Sequence, residues 1–378
     1  MSPIVNRRAF LRLAASSAAA LGCAAGLRAQ DRPASSQPHT LTVIAGQPRE
    51  RGRVYGQKFK EGIDTFLNRE IYGAFIGKPA LKDQMLRYAD ACGREVRKFS
   101  PEVCDEMEGT AQGAGIRLEE VVLITLHEEL YHKKALPSVD HCTAVAIGPP
   151  ATKDGHTYVG QTWDWMPSVF GMSQMTLWKR AVGPSLLAYG FPGMPCGAGL
   201  NSAGIAHTWT SAHDKGGKIA GPRVGIPSYV LINHLLRQPT IKDVIAEAKR
   251  ATHAGWFTFV MADGEGNLLN LEGSPAELAV EEHKGLLTRV LYGSRQMTGG
   301  DEQLVHARSK HTMKLLQAED EPDGVKLQGL FGDQKAGICV GNTIDMMVFD
   351  CTARTASLSR GPAWGQTWKT FSFQSSDG

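Results

Sequence analysis

Apolar residues along this chain follow two rhythms that change at one point. Between residues 49 and 130 they recur near every third or fourth position, with Val54, Phe59, Ile63, Phe66 and Leu67 spaced for one helix face. The spacing predicts a helix from near Arg49 and further helices over 82–97, 101–111 and 118–130, preceded by a short β-type run at 41–45. From Cys142 onward the pattern turns to short strand-like runs at 143–147, 157–162, 175–180, 185–189 and 204–210, divided by Gly, Pro and Asp turns. Helical spacing returns at 228–237, 241–250 and 302–317. Residues 256–262 and 268–272 read as a hairpin across Asp263-Gly264-Glu265-Gly266, and 343–349 and 355–358 as final strands. Helices, then strands, then helices, then strands predict a layered α+β fold with the helices outside.

Gly52 and Gly56, four apart on one helix face, each cost about 1 kcal/mol in helix propensity and so point to a close backbone approach there. The N-terminus reads as targeting. Arg7-Arg8-Ala9-Phe10-Leu11 precedes an uncharged run over 13–26, too short to span a membrane, and resembles a twin-arginine export signal ending near Ala29. Leu21-Gly22-Cys23 offers a second reading as an imperfect lipid-attachment box. The organisation expected is a signal at 1–29, a polar linker at 30–40, and a body split into 41–141 and 142–378, with a periplasmic or secreted address.

The 378 residues carry a formal charge of only +3, and no stretch interleaves Lys or Arg with aromatics as a nucleic-acid groove does. A small-molecule partner is expected. Beyond Cys23 stand Cys92, Cys104, Cys142, Cys196, Cys339 and Cys351, with no Cys-x-x-Cys pair to suggest a zinc or redox motif. His127-Glu128-Glu129-Leu130-Tyr131-His132 looks like a zinc-protease helix, but its histidines are five apart, about 140° around a helix, so they do not share a face. Gly197-Ala198-Gly199-Leu200-Asn201-Ser202 lacks the third glycine of a dinucleotide loop, and no Gly-x-Ser-x-Gly elbow occurs. Neither a metal nor an organic cofactor follows.

Cys142 is set apart by its place at the helix-to-strand change, between His141 and Thr143. If the peptide bond before it is broken, its own α-amine, with a pKa of about 7.7–8.0, can take the thiol proton without a histidine base. The same thiol can carry out the cut by attacking the preceding carbonyl. A cysteine protease using His141 is disfavoured, because neighbours on a strand point to opposite faces.

The ordered set Arg51-Gly52-Arg53-Val54-Tyr55-Gly56, Glu106-Met107-Glu108-Gly109-Thr110-Ala111-Gln112-Gly113-Ala114-Gly115, Asp140-His141-Cys142-Thr143, Gly160-Gln161-Thr162-Trp163-Asp164-Trp165, Gly199-Leu200-Asn201-Ser202-Ala203-Gly204-Ile205 and Leu271-Glu272-Gly273-Ser274-Pro275 resembles the peptidase C45 family. This is the acyl-coenzyme A:6-aminopenicillanate acyltransferase-like branch of the N-terminal-nucleophile hydrolases. The resemblance runs from Arg49 nearly to the C-terminus. It implies a four-layer αββα sandwich, self-cleavage between His141 and Cys142 into two chains, and attack of Cys142 on an amide or thioester carbonyl. It also implies Asp164 as the carboxylate that orients the new amine.

The chain departs from that pattern. Gln161 and Thr162 stand in the family's Gly-Arg-Asn-x-Asp segment, Thr210 stands where relatives often have asparagine, and Gly293-Ser294-Arg295 replaces a Thr-Asn-His segment. Hydroxyls can donate where amides are missing, which makes Thr210 and Ser294, supported by Thr143, the expected oxyanion groups. Trp163, Trp165 and Trp209 are expected to line an acyl or aromatic pocket. The expected activity is a self-processing amidase, acylase or acyltransferase on a small amide. The alternative is an exported binding protein of the same fold without catalysis.

Overall fold

The structure is a computed structural model that describes residues 39–133, 142–211, 223–291, 293–319, 322–361 and 367–376. The expected signal, Cys23, most of the linker and His141 lie outside the described residues. Two sheets stack face to face. One holds eight strands in the order β1 (Leu41–Ile44), β4 (Gln174–Trp178), β5 (Leu186–Phe191), β6 (Met194–Asn201), β7 (Ala206–Thr210), β8 (Phe257–Ala262), β9 (Leu268–Gly273) and β10 (Leu278–His283). The other runs β11 (Leu286–Arg289), β2 (Thr143–Ile147), β3 (Tyr158–Asp164), β12 (Thr343–Asp350), β13 (Thr355–Arg360) and β14 (Lys369–Ser372). Strands β2 and β3 lie against β7 and β8. On the outer face of the larger sheet helix Ser228–Leu235 packs on β6. On the outer face of the smaller one helix Ala307–Ala318 packs on β11, and helix Gly324–Gly332 on β3 and β12. This is the expected αββα layering, produced by strands that are buried on both faces.

Period-two alternation sorts β2 between the layers. Val145 and Ile147 join Leu327 and Phe331 of the outer helix, while Ala144 and Ala146 turn into the space between the sheets. β1 pairs parallel with β4, so this strand from ahead of Cys142 completes the edge of a sheet whose other strands all come from after it.

The helices before Cys142 include Pro48–Lys58, Pro79–Phe99, Pro101–Ala114, Leu118–Thr125 and His127–Lys133. The first and third meet through glycine. A Cβ at Gly52 would fall 1.9 Å from the Glu106 carbonyl oxygen, and one at Gly109 would fall 2.0 Å from that of Arg49. The glycine pair read from the sequence thus serves backbone-to-backbone contact, and helix Pro101–Ala114 contributes Gly109 and Gly113 of its own. Beside this contact, buried Arg51 donates to Glu106 at 2.6–2.9 Å and to Glu102 at 2.6 Å. Arg237 donates to Glu106 at 2.5 Å and Arg180 to Glu102 at 2.6 Å, so the network joins residues on both sides of Cys142.

Candidate functional site

Cys142 is the residue before β2 and is buried. Its sulfur lies 3.8 Å from the backbone carbonyl oxygen of Asp164, because β2 and β3 pair with Thr143 opposite Thr162, which brings their ends together. Burial and the nearby Asp164 carboxylate push the Cys142 thiol well up, so with the backbone intact it stays protonated at neutral pH.

Asp164 ends β3 with its side chain fully enclosed. One carboxylate oxygen accepts from the Thr343 hydroxyl at 2.6 Å and the other from Arg308 at 3.0 Å. Arg308 is held in the first turn of helix Ala307–Ala318 by a neighbouring cap, its N–H donating to the ring of His306 at 3.1 Å. A guanidinium therefore does sit on this carboxylate, although Gln161 occupies the position where the family pattern has arginine. It comes from 144 residues down the chain.

The expected oxyanion residues are all buried, and each hydroxyl has a different setting. Thr210 is buried at the end of β7, and its hydroxyl oxygen accepts from the Leu291 N–H at 3.2 Å. Leu291 follows β11, the neighbour of β2, and has φ +62°, a left-handed conformation that costs a leucine roughly 1–2 kcal/mol. Ser294 is also buried. Its hydroxyl oxygen caps the short helix Arg295–Thr298 by accepting from Met297 N–H, and its own N–H donates to the Glu272 carboxylate at 3.0 Å. Glu272 also accepts from Gly293 N–H at 2.8 Å and Arg289 at 3.3 Å. The Leu-Glu-Gly segment recognised in the sequence therefore anchors the turn after β11. Thr143 directs its N–H to the Thr162 hydroxyl at 3.3 Å, and its own buried hydroxyl has no partner.

The three tryptophans come together with other rings. Trp163 lies 6.2 Å from Trp165 and 6.1 Å from Trp209 between centroids, Trp209 lies 5.1 Å from Tyr229, and His127 stands edge-on to Trp165 at 4.5 Å. All three indoles are buried. The local cause is a split in the larger sheet: β6 and β7 pair only through Gly199–His207 and Leu200–Ala206, and beyond that they part. Gly197 then borders Trp163, where a Cβ would fall 2.7 Å from the indole and 3.2 Å from Tyr229. With no ladder partner from β6, the Trp209 N–H donates to the side-chain oxygen of Gln161 at 2.8 Å.

Glu129 closes this end of the molecule. Its Oε1 accepts from both the N–H and the hydroxyl of Ser228 at 2.9 Å, tying the last described helix before Cys142 to the helix that carries Tyr229. Burial pushes its carboxyl up to about 7. No cluster of three His, Cys, Asp or Glu side chains suited to a metal occurs among the described residues.

The sequence profile of the acyl-coenzyme A:6-aminopenicillanic acid acyl-transferase family matches residues 151–362. Among solved structures the chain is similar to penicillin V acylase from Agrobacterium tumefaciens, with TM-score 0.45 and 12% identity over 61% of this chain and 86% of that one. It is also similar to a variant of conjugated bile acid hydrolase from Clostridium perfringens, with TM-score 0.43 and 13% identity over 61% of this chain and 97% of that one.

Proposed function

Because the chain belongs to the acyl-coenzyme A:6-aminopenicillanic acid acyl-transferase family, we propose that it is a cysteine N-terminal-nucleophile enzyme that frees Cys142 by cutting its own backbone and then deacylates a small amide. In the cut, the sulfur attacks the carbonyl carbon of residue 141. The C–S bond forms as C–N breaks, and the thiol proton passes to the departing nitrogen. Water then hydrolyses the thioester, leaving a carboxylate on residue 141 and a free amine and thiol on Cys142.

That amine resolves the difficulty posed by the buried thiol. With a pKa of about 7.7–8.0 it takes the thiol proton within one residue. The sulfur adds to the substrate carbonyl, the amine returns the proton to the leaving nitrogen, and water releases the acyl group as acid. Asp164, fixed by Arg308 and Thr343, orients the ammonium. Thr210 or Ser294 joins backbone N–H groups at the oxyanion, with Thr143 in support, and the rings of Trp163, Trp165 and Trp209 border the acyl group. We place the enzyme in the periplasm by the twin-arginine signal. Hydrolysis is then favoured over acyl transfer, since coenzyme A is not met there.

What supports this reading most is the immobilised carboxylate of Asp164 on the residue whose carbonyl oxygen touches the Cys142 sulfur. Mass spectrometry of the mature N-termini tests it. Fragments of about 12 and about 26 kDa, prorated from 40.9 kDa, are expected, the larger beginning at Cys142, and Cys142→Ala should stay uncut and inactive. Fully active protein with an intact backbone would refute it in favour of another chemistry, whereas an uncut wild-type chain without activity would favour the non-catalytic binding protein.

A further inference from the structure

Strands β11 and β2 pair antiparallel from Leu286–Ile147 to Arg289–Ala144, and the bond from the Gly148 N–H to the Gly285 carbonyl continues that register at the far end. Two steps past Arg289 the same register puts Leu291 opposite Cys142, a pairing of about 5 Å between Cα atoms in a regular ladder. The ladder stops before reaching it. Leu291 has φ +62° and is one of two non-glycine residues with positive φ among the described residues. Nothing in a leucine favours that conformation, since its Cβ crowds the following carbonyl. What the conformation accompanies is a contact with the other sheet: the Leu291 N–H donates to the Thr210 hydroxyl oxygen at 3.2 Å.

A second bond flanks β2 on its other side. The N–H of Trp209, the residue before Thr210, donates to Gln161 at 2.8 Å, and Gln161 lies opposite Ala144 on β3. Because β2 runs between β11 and β3, the end of β7 is tied to both neighbours of β2 at the level of Ala144 and Cys142. Thr210 therefore lies across the start of β2. The far side of the turn after β11 is fixed elsewhere: the Ser294 N–H is held at 3.0 Å by Glu272, which shares a transverse row with Thr258 and Thr210. Two strand spacings put that anchor about 10 Å along the row from Thr210. Of the two hydroxyls, Thr210 is the one beside Cys142. A hydroxyl has one proton and two acceptor lone pairs. With the Leu291 N–H on its oxygen, Thr210 has its proton turned elsewhere, and it donates to no acceptor among the described residues.

We propose that Leu291 is a positioning residue: its left-handed backbone holds the Thr210 oxygen through the N–H and leaves the hydroxyl proton for the carbonyl oxygen that becomes negative when the Cys142 sulfur adds. Thr210 is then the side-chain oxyanion donor, and Ser294 supports the turn. A donor oriented in this way is in place before the substrate arrives and needs no reorganisation as charge develops. This rests on the acylase reading above.

The test is steady-state kinetics on para-nitroanilides of a short and of an aromatic acyl group, with kcat referred to the fraction of chains that begin at Cys142. Thr210→Val removes the hydroxyl at nearly constant shape and should lower kcat about a hundredfold with KM little changed. Leu291→Val has a branched Cβ that excludes the left-handed backbone, and should lower kcat about tenfold by misplacing the hydroxyl. Leu291→Gly adopts that backbone freely and should recover the loss. Because Leu291 acts through Thr210, adding Leu291→Val to Thr210→Val should bring no further loss, whereas a merely structural role would give the same factor in either background. Additive losses in the double variant would overturn the inference. So would wild-type kcat in Thr210→Val, or a larger loss in Ser294→Ala, and these two decide it even if Leu291→Val does not fold. Each of those results, with a wild type that turns over the amides, leaves the acylase reading standing. A wild type that turns over neither amide and carries no acyl adduct on Cys142 by mass spectrometry would remove that reading and this inference together.

Discussion

Glu129 gives the sharpest test of the electrostatics, because the perturbation is one atom and its sign is fixed. The carboxyl is 1% exposed, forms no ion pair among the described residues, and is pushed by burial from an ordinary 4.5 to about 7. A raised carboxyl pKa means the folded state holds the proton more tightly than the unfolded chain. Wild-type stability is therefore undiminished by this group below pH 4.5, falls between 4.5 and 7, and is level above 7. The interval from 4.5 to about 7, at about 1.36 kcal/mol per pH unit, puts the loss on the order of 3 kcal/mol. Glu129→Gln keeps an oxygen for Ser228 and cannot ionise, so it should gain about 3 kcal/mol on wild type between pH 4.5 and pH 7. Urea unfolding of both proteins at matched pH from 4.5 to 8.5 measures the difference directly, and titration of every other group cancels. A difference that stays flat, or that shrinks as pH rises, would refute a buried, uncompensated carboxyl.

Two further outcomes follow from the described geometry. Arg308→Met leaves the Asp164 carboxylate enclosed without its cation and should destabilise the fold by about 3 kcal/mol, as loss of one partner of a buried pair does. Adding Asp164→Asn should recover most of that loss in denaturant titrations without restoring deacylation, giving a large coupling energy in the double-mutant cycle. Gly52→Ala should gain about 1 kcal/mol of helix propensity yet lose roughly 2–3 kcal/mol net. A methyl placed 1.9 Å from the Glu106 carbonyl must push the two helices apart, and calorimetry showing unchanged or higher stability would sink that reasoning.

Much of the architecture is legible in the sequence because most elements carry their own local signal. The alternation after Cys142 locates β2 and β3, and Asp263-Gly264-Glu265-Gly266 marks a true hairpin. The predicted helix over 118–130 is two helices, Leu118–Thr125 and His127–Lys133, broken at Leu126, where an apolar run gives no warning. Strand β6 escapes detection because Gly197 and Gly199 remove its alternation. Those glycines answer to the Trp163 indole and to the β5 backbone, both distant in sequence. Helix Gly324–Gly332 begins and ends on glycine and shows its start only through the Asp323 cap, which accepts from Val325 and Lys326 N–H. In the candidate site, order and motif point to Cys142 and Asp164. Nothing local to Arg308 points to a strand that ends at Asp164, and the chemistry of Glu129 depends wholly on what buries it.

The parallel pairing of β1 with β4 sets a limit on how far the N-terminus can be trimmed. Just upstream of that strand, the buried ring of His39 bonds Asp345 at 3.0 Å, and Asp345 also takes the hydroxyls of Ser173 and Tyr189. A peptidase that cut after Gln37 would leave this anchor whole. One that cut beyond His39 would strip the outermost ribbon from the eight-stranded layer and bare the Gln174–Trp178 segment, an invitation to stick to other copies. Any N-terminal trimming that keeps this anchor is thereby confined to the residues ahead of His39.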